Sequence, residues 1–323
     1  MDLTVIVVSC NGREMTTACL ESVFATVKKA VEVVLVDNGS SDGTADAAAA
    51  AFPQARLIRN AENRGFAAAV NQGLRTAKGR VVVLLNNDAR PEAGALDGLV
   101  DFLDANAKAG MAGPQLVHED GRPQNSYDNC PTLASSVMNK GLLRLAFPSR
   151  YPSKRQSHAE PVEVESLIGA SLAVKREVVE KVGPLDEDYF LFLEETDWCL
   201  RARKAGYSVM FVPSLRVLHL QGRTREKIRA RARVEYVRSL FTYFRKQAPS
   251  SHGSLRVLHF FKTGFEWIGA LLGVVLTLFL WPRGRRRFAE ISYLLLWQVL
   301  FCPASFGIAP ATWPQASWRQ AHV

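Results

Sequence analysis

Residues 3–9, LTVIVVS, form a continuous apolar run rich in β-branched side chains, as expected of a strand buried on both faces of a parallel sheet. The pattern returns at 31–36 (VEVVLV), in a short strand at 55–58, and at 80–85 (RVVVLL). Between these runs the spacing turns helical, first over 13–27 with Leu20, Val23, Phe24 and Val27 on one side, then over 43–51, 65–77 and 92–107. Strands alternating with helices of this length build βαβ units and an open α/β sheet. Such sheets bind ligands at the carboxyl ends of their strands. The first residues, MDLTVIVVSCN, read directly as a strand, and no signal peptide is expected.

The polar groups after those strand ends are therefore the candidate site. They are Ser9-Cys10-Asn11-Gly12, the segment from Asp37 and Asn38 through Ser40 to Gly43, and Asn86-Asn87-Asp88. An ionised carboxylate only accepts hydrogen bonds, so Asp37 suits the N3–H of a pyrimidine base. Ser41 and Asp42 suit the cap of the next helix. Asp88 suits a hard divalent cation shared with a diphosphate, or an Asx turn. Residues 118–160 read as a loop-like insertion over the site, and helical pattern returns at 175–182 and 194–205. The first turn of the latter carries Glu194, Glu195 and Asp197, which would complement the helix dipole or perform acid–base work. Trp198 fits a binding pocket or the core, Arg64 a phosphate or the solvent, and His219 a ligand or a packed histidine.

Six segments in order over roughly the first 220 residues carry a resemblance: VIVVSCNGRE, VVLVDNGSSDGT, NRGFAAAVNQGL, LLNNDA, the stretch 169–207 containing LEETDWCLRARKAGY, and VLHLQG. Together the chain resembles an inverting glycosyltransferase of family 2 with the GT-A fold, closest in flavour to the rhamnosyltransferase-like members that build bacterial cell-surface polysaccharides. The resemblance implies that Asp37 reads the nucleotide base with Asn11 beside it. It also implies that Asn38, Ser40, Arg64, Asn86 and Asn87 line the donor nucleotide. Asn86-Asn87-Asp88 stands in the place of the DxD motif, with Asp88 as ligand of Mg²⁺ or Mn²⁺ and His219 completing the metal site. Asn86 replaces the first Asp of that motif and brings no charge. Cys10 replaces the aromatic residue that stacks on the base in many relatives. Glu195 falls where the catalytic base stands, with Glu194 as its rival, Asp197 orienting the acceptor and Trp198 lining its pocket. Inversion requires one carboxylate to deprotonate the attacking hydroxyl on the face opposite the leaving diphosphate.

Charge now discriminates among partners. The 323 residues include 40 Lys and Arg against 31 Asp and Glu, a net +9. Up to Gly222 there are 24 basic and 27 acidic residues, net −3, and after it 16 and 4, net +12. The basicity therefore belongs to the last third, where 223–246 read as a basic amphipathic helix suited to an anionic membrane surface or packed on the catalytic domain. Residues 267–281 (WIGALLGVVLTLFLW) are apolar but shorter than the roughly 20 residues a bilayer span needs. They precede Arg283, Arg285, Arg286 and Arg287 and a second apolar run at 291–301. A single span would place those arginines outside, against the positive-inside rule. A re-entrant or in-plane hairpin is the favoured reading, and a short tilted span the alternative. Five widely spaced cysteines without a CxxC pair argue against a disulfide framework or zinc site.

The expected architecture is an α/β GT-A (Rossmann-like nucleotide-diphospho-sugar transferase) domain over 1–222, a basic amphipathic helix over 223–250 and an apolar, membrane-associated helical region over 251–323. The expected activity is metal-dependent transfer from a nucleotide-sugar donor, dTDP-rhamnose being one such donor, to a lipid-linked glycan at the cytoplasmic face of the inner membrane. A catalytically silent nucleotide-binding scaffold is the competing reading. A nucleic-acid partner is not expected, because no supporting fold motif accompanies the charge.

Overall fold

A computed structural model of the chain describes residues 1–148, 151, 158–220, 229–276, 282–303 and 306–308. The chain divides into two compact units. The first comprises Met1–Cys130, Lys154–Glu187 and Glu194–Gln221. It opens with β1 (Leu3–Ser9), α1 (Arg13–Thr26), β2 (Val31–Asn38), α2 (Thr44–Ala51), β3 (Arg56–Asn60), α3 (Phe66–Thr76), β4 (Val81–Asn86), β5 (Ala89–Pro91), α4 (Ala95–Ala105), β6 (Ala109–Val117) and β7 (Tyr127–Asp128). The expected strand and helix alternation holds to within three residues at each end. The insertion after β7 contains two short helices of the second unit, α5 (Leu133–Val137) and α6 (Lys140–Ala146). They were hidden by their caps. Thr132 and Ser135 form a capping box, and Asn139 accepts from the Gly141 and Leu142 amides, so residues that signal loops elsewhere begin helices here.

The first unit continues with β8 (Val162–Glu163), β9 (Ser166–Leu167), β10 (Ser171–Lys175), α7 (Arg176–Val182), α8 (Glu194–Lys204) and β11 (Ser208–His219). Nine described strands make one mixed sheet in the order β3-β2-β1-β4-β10-β6-β11-β5, with β8 on β11. The β1, β2, β3 and β4 neighbours are parallel, whereas β10 lies antiparallel between β4 and β6. The period-2 alternation of strand side chains explains burial on both faces. Val5, Val7, Val33, Leu35 and Val83 pack with α1 and α4 on one side. Ile6, Val34, Val36, Val82 and Leu84 pack with α3, α7 and α8 on the other. Chain order reverses between β1 and β4, so the crevice at their carboxyl ends is the switch point where ligands of open sheets bind.

The second unit comprises Pro131–Ser153, Asp188–Leu193 and Gly222–Val323. Its principal helices are α9 (Arg229–Gln247), α10 (Pro249–Leu276) and α11 (Pro282–Val299). The expected basic helix is largely α9, and its first part, 223–228, lies outside the described residues. Its apolar face is not available to a membrane. Val234, Val237, Leu240 and Phe244 are buried, and Phe241 stacks on Trp297 of α11 at 6.1 Å. Its cations are engaged as well: Arg233 pairs with Glu266, Arg238 with Glu235, and Arg245 and Lys246 with Asp188. The apolar run from 267 is the end of α10, and 277–281 lie outside the described residues. Among the described residues, no helix is long and apolar enough to cross a membrane.

Candidate active site

Parallel pairing sets the first dimension of the site. Ser9 at the end of β1 is in register with Asp37 of β2, and Val8 with Asn86 of β4. Asp37 and Asn86 thus lie on either side of β1, two strand spacings or about 10 Å apart. Asp37 is buried, and only one of its oxygens is used internally, accepting from the Ser40 amide at 3.2 Å. The other, Oδ1, is buried without a hydrogen-bond partner. A buried acceptor without a donor carries a desolvation cost that a ligand N–H would remove.

Around Asp37 the loops are locked to one another. Asn11, in the left-handed region at φ 55, accepts through Oδ1 from the Ser41 amide at 2.8 Å, and its own amide donates to Ser40 Oγ at 2.9 Å. Asp42 accepts from the first-turn Thr44 amide, though the N-cap of α2 is Gly43 with no side-chain cap, and it also accepts from the Arg13 amide at the start of α1. Ser41 does not cap and faces Asn11 instead. Gly39 (φ 80) is required, since a Cβ there would meet backbone atoms of Glu62 and Asn63 at 2.6–2.8 Å.

Two residues expected to touch the donor are committed to structure. Asn38 donates to Asn63 Oδ1 and the Gly65 carbonyl and accepts from Asn60 and the Arg64 amide, so its whole amide holds the 60–65 loop. Asn87 points inward, donating to Ser9 and Thr16 hydroxyls, and a Cβ on Gly12 would meet it at 2.5 Å. Arg64 presents an exposed side chain, and Asn86 is half-buried at the strand end. Asn63 had no expected role, yet it links Asn38, Cys10 and the Gly65 amide. Its only sequence signal was its place in the NRGF segment.

Asp88 and His219 meet although 131 positions separate them. Antiparallel pairing of β5 with β11 sets His219 opposite Ala89, and His219 Nε2 lies 3.4 Å from Asp88 Oδ1. The tautomer follows from Gln124. Its Nε2 donates to the His219 and Val117 carbonyls at 2.6 and 3.3 Å, which turns its Oε1 toward His219 Nδ1 at 3.1 Å. An amide oxygen can only accept, so the neutral ring carries its proton on Nδ1 and offers the Nε2 lone pair to the Asp88 side. Two acceptors facing each other at this distance fit a shared cation, with the far ring nitrogen held as in metal-binding histidines. Among the described residues, no group of three or more His, Cys, Asp or Glu side chains could hold a metal by itself. The pair therefore suits a cation such as Mg²⁺ that is completed by substrate phosphate and water. Gln124 was hidden within the apparent loop 118–160.

The candidate base is brought to the same strand end by β10. The Asn86 amide donates to the Ala170 carbonyl at 3.0 Å, and the preceding Gly169 lies against Glu195, where a Cβ would stand 3.5 Å from the carboxyl carbon. Burial pushes the Glu195 carboxyl above its ordinary value, and nearby Asp128 adds to the rise, while the amides of Glu195, Gly169 and Thr196 favour the charged form. Its Oε2 is buried without a hydrogen-bond partner. A carboxylate with a raised proton affinity is a stronger general base at neutral pH. The two residues before α8, Phe192 (φ 74) and Leu193 (φ 67), adopt a conformation rare for bulky side chains.

Glu194, the rival base, stands beside Glu195 at the start of α8. Glu194 is buried in the first turn. Asp197 is 1% exposed and accepts from Arg201 Nε at 2.7 Å, while Arg201 also donates to the Val182 and Pro184 carbonyls. That corrects the acceptor-orienting role expected of Asp197. Trp198 is fully buried in the core with Nε1 on the Gly183 carbonyl at 2.9 Å, which corrects its expected place in an acceptor pocket. The physical reason is shared: α8 buries both sides of its first two turns, so the residues after Glu195 face the protein.

Comparison with known proteins gives the family. A family model described as Glycosyl transferase family 2 matches residues 4–183. An N-acetylglucosaminyl-diphospho-decaprenol L-rhamnosyltransferase of Mycobacterium tuberculosis is 33% identical over 216 residues, covering 62% of this chain and 70% of the relative. A dTDP-rhamnosyl transferase of Shigella flexneri is 28% identical, with 61% and 62% covered. Among solved structures, a mannosyltransferase from Pyrobaculum calidifontis in complex with GDP-Man and Mn²⁺ superposes with a TM-score of 0.51 at 20% identity, covering 94% of this chain and 87% of that one. With its mixed GT-A sheet and its family match over more than half its length, the chain belongs to glycosyl transferase family 2.

Proposed function

We propose that the protein transfers L-rhamnose from dTDP-rhamnose, with inversion, to a polyprenyl-diphosphate-linked glycan at the cytoplasmic face of the membrane. The relatives named above support the donor and acceptor classes. The observation that carries the reading is the convergence of Asp88 and His219 at one end of the β1/β4 crevice, with Glu195 brought to the same strand end by Gly169.

Each group has one task. Asp37 Oδ1 accepts the N3–H of the thymine base, and the locked 37–44 loop holds that oxygen in place. Asp88 and His219 Nε2 would hold a divalent cation, whose charge would stabilise the negative charge that develops on the leaving diphosphate. Glu195 takes the proton from the acceptor hydroxyl as that oxygen attacks the anomeric carbon from the opposite face. The unpartnered Oε2 is available for that hydroxyl, and its raised proton affinity lets it receive the proton late in the attack.

Glu195→Gln tests the assignment while keeping the side chain's shape. Transfer to a synthetic polyprenyl-diphosphate N-acetylglucosamine should fall by about 10²–10⁴-fold, the usual contribution of a general base. Calorimetric binding of dTDP-rhamnose should be unchanged. Undiminished turnover would remove Glu195 from the chemistry, and transfer from a different nucleotide sugar alone would correct the donor.

A further inference from the structure

Among the described residues, helix α10 leaves one side exposed. Val257, Phe261, Phe265, Ile268, Leu272 and Leu276 recur at steps of three or four and are between 49% and 81% exposed. That spacing keeps them on one face of a helix. From Val257 to Leu276 the stripe runs about 28 Å at 1.5 Å per residue, and it contains no charged side chain. The opposite side of α10 faces its own unit through Leu255, His259 and Thr263, which are buried. Helix α11 runs antiparallel to it, since Trp267 donates to Ser292 and lies 5.6 Å from the Phe288 ring, while His259 meets Gln298.

The antiparallel pairing places the start of α11 at the Leu276 end of the stripe. Arg283, Arg285, Arg286 and Arg287 are exposed there. Cations at a helix start oppose the dipole, an arrangement that a nearby anion reverses. An apolar face of this length ending in exposed arginines has the chemistry of a helix lying in an anionic lipid surface. Six exposed large apolar side chains in one row differ from the singly scattered apolar residues that need no explanation.

We infer that the α10 stripe lies in the plane of an anionic bilayer, apolar side chains among the acyl chains and the α11 arginines on lipid phosphate. The anchor is this hairpin and not the amphipathic α9, whose apolar face is spent inside the unit. The inference specifies where the enzyme proposed above would work, and its test reads binding without any sugar transfer.

The test is flotation of the full chain with phosphatidylcholine vesicles, with and without phosphatidylglycerol. Wild-type protein should float with the anionic vesicles and largely remain behind with the neutral ones. Phe265→Asp together with Leu272→Asp should weaken flotation by at least about tenfold. Reversal of Arg285, Arg286 and Arg287 to Glu should weaken it by roughly a hundredfold on anionic vesicles only. Both variants should keep the wild-type melting temperature, because the altered side chains are exposed. Absence of wild-type flotation, or equal flotation of the stripe variant, overturns the inference. So does a wild-type dimer that the stripe variant converts to monomer without any vesicle binding, which would assign the face to a second copy. Donor binding by calorimetry separates these outcomes from failure of the transferase reading, since the stripe variant should bind dTDP-rhamnose as wild type does.

Discussion

The two units treat their apolar residues in opposite ways. In the first, sheet and helices bury Val, Leu and Ile on both faces, and the polar groups that remain at the strand ends bond to one another. In the second, α9 buries its apolar face while α10 keeps a continuous stripe outside. Composition alone does not separate these cases, because both regions are rich in the same side chains. The difference lies in what each face meets: a buried face stabilises the fold, whereas an exposed stripe contributes only when another medium covers it.

The strongest way to break this contrast is to remove a core side chain from the first unit. Trp198→Ala should cost about 3–5 kcal/mol, read as a lower urea midpoint with loss of transfer in proportion to unfolding. Retained stability would mean that Trp198 sits in a pocket after all. Next in size, Gln124→Leu removes the acceptor that fixes the His219 tautomer. Affinity for Mn²⁺, titrated calorimetrically in the presence of dTDP, should fall about 10–100-fold, and the buried His219 and Val117 carbonyls left without their donor should lower stability by about 1–3 kcal/mol.

Glu195 sharpens the contrast between a buried group that stabilises and one that is kept for chemistry. Because its proton affinity is raised in the fold, its contribution to stability is full below the unfolded value and is lost as pH rises through the folded one. Glu195→Gln should therefore raise the melting temperature at neutral pH while transfer falls by about 10²–10⁴-fold. The same direction predicts that the acid limb of the transfer rate lies above the range of an ordinary glutamate, which a pH–rate profile will check. Smallest of all, Phe265→Ser should change the unfolding free energy by no more than about 0.5 kcal/mol. A larger loss would show that the stripe is covered by the protein itself.

The positions of the candidate residues in the fold were legible because their signals are local. Asp37 closes β2 with Asn38, Asp88 follows β4 and Glu195 opens α8, and the β-branched runs announced the two strands. Asn38, Asp197 and Trp198 were misplaced for a common reason. Short polar or aromatic residues beside a ligand residue look alike in sequence whether they point to substrate or to scaffold, and side-chain direction depends on which neighbours pack against each face. In the same way, the interleaved arginines of α9 resemble a membrane-surface helix until Asp188, Glu235 and Glu266 are seen to pair with them.

Sequence by itself thus determined the alternation of strand and helix, the polar strand ends and the acidic start of α8, since each follows from spacing within a dozen residues. Only the tertiary structure decided that β10 would enter antiparallel and carry Gly169 to Glu195. It alone set His219 beside Asp88 with Gln124 behind it, and left α10 rather than α9 bare. Those outcomes rest on pairings between segments far apart in the chain, where register and packing, and not local propensity, choose which face is covered.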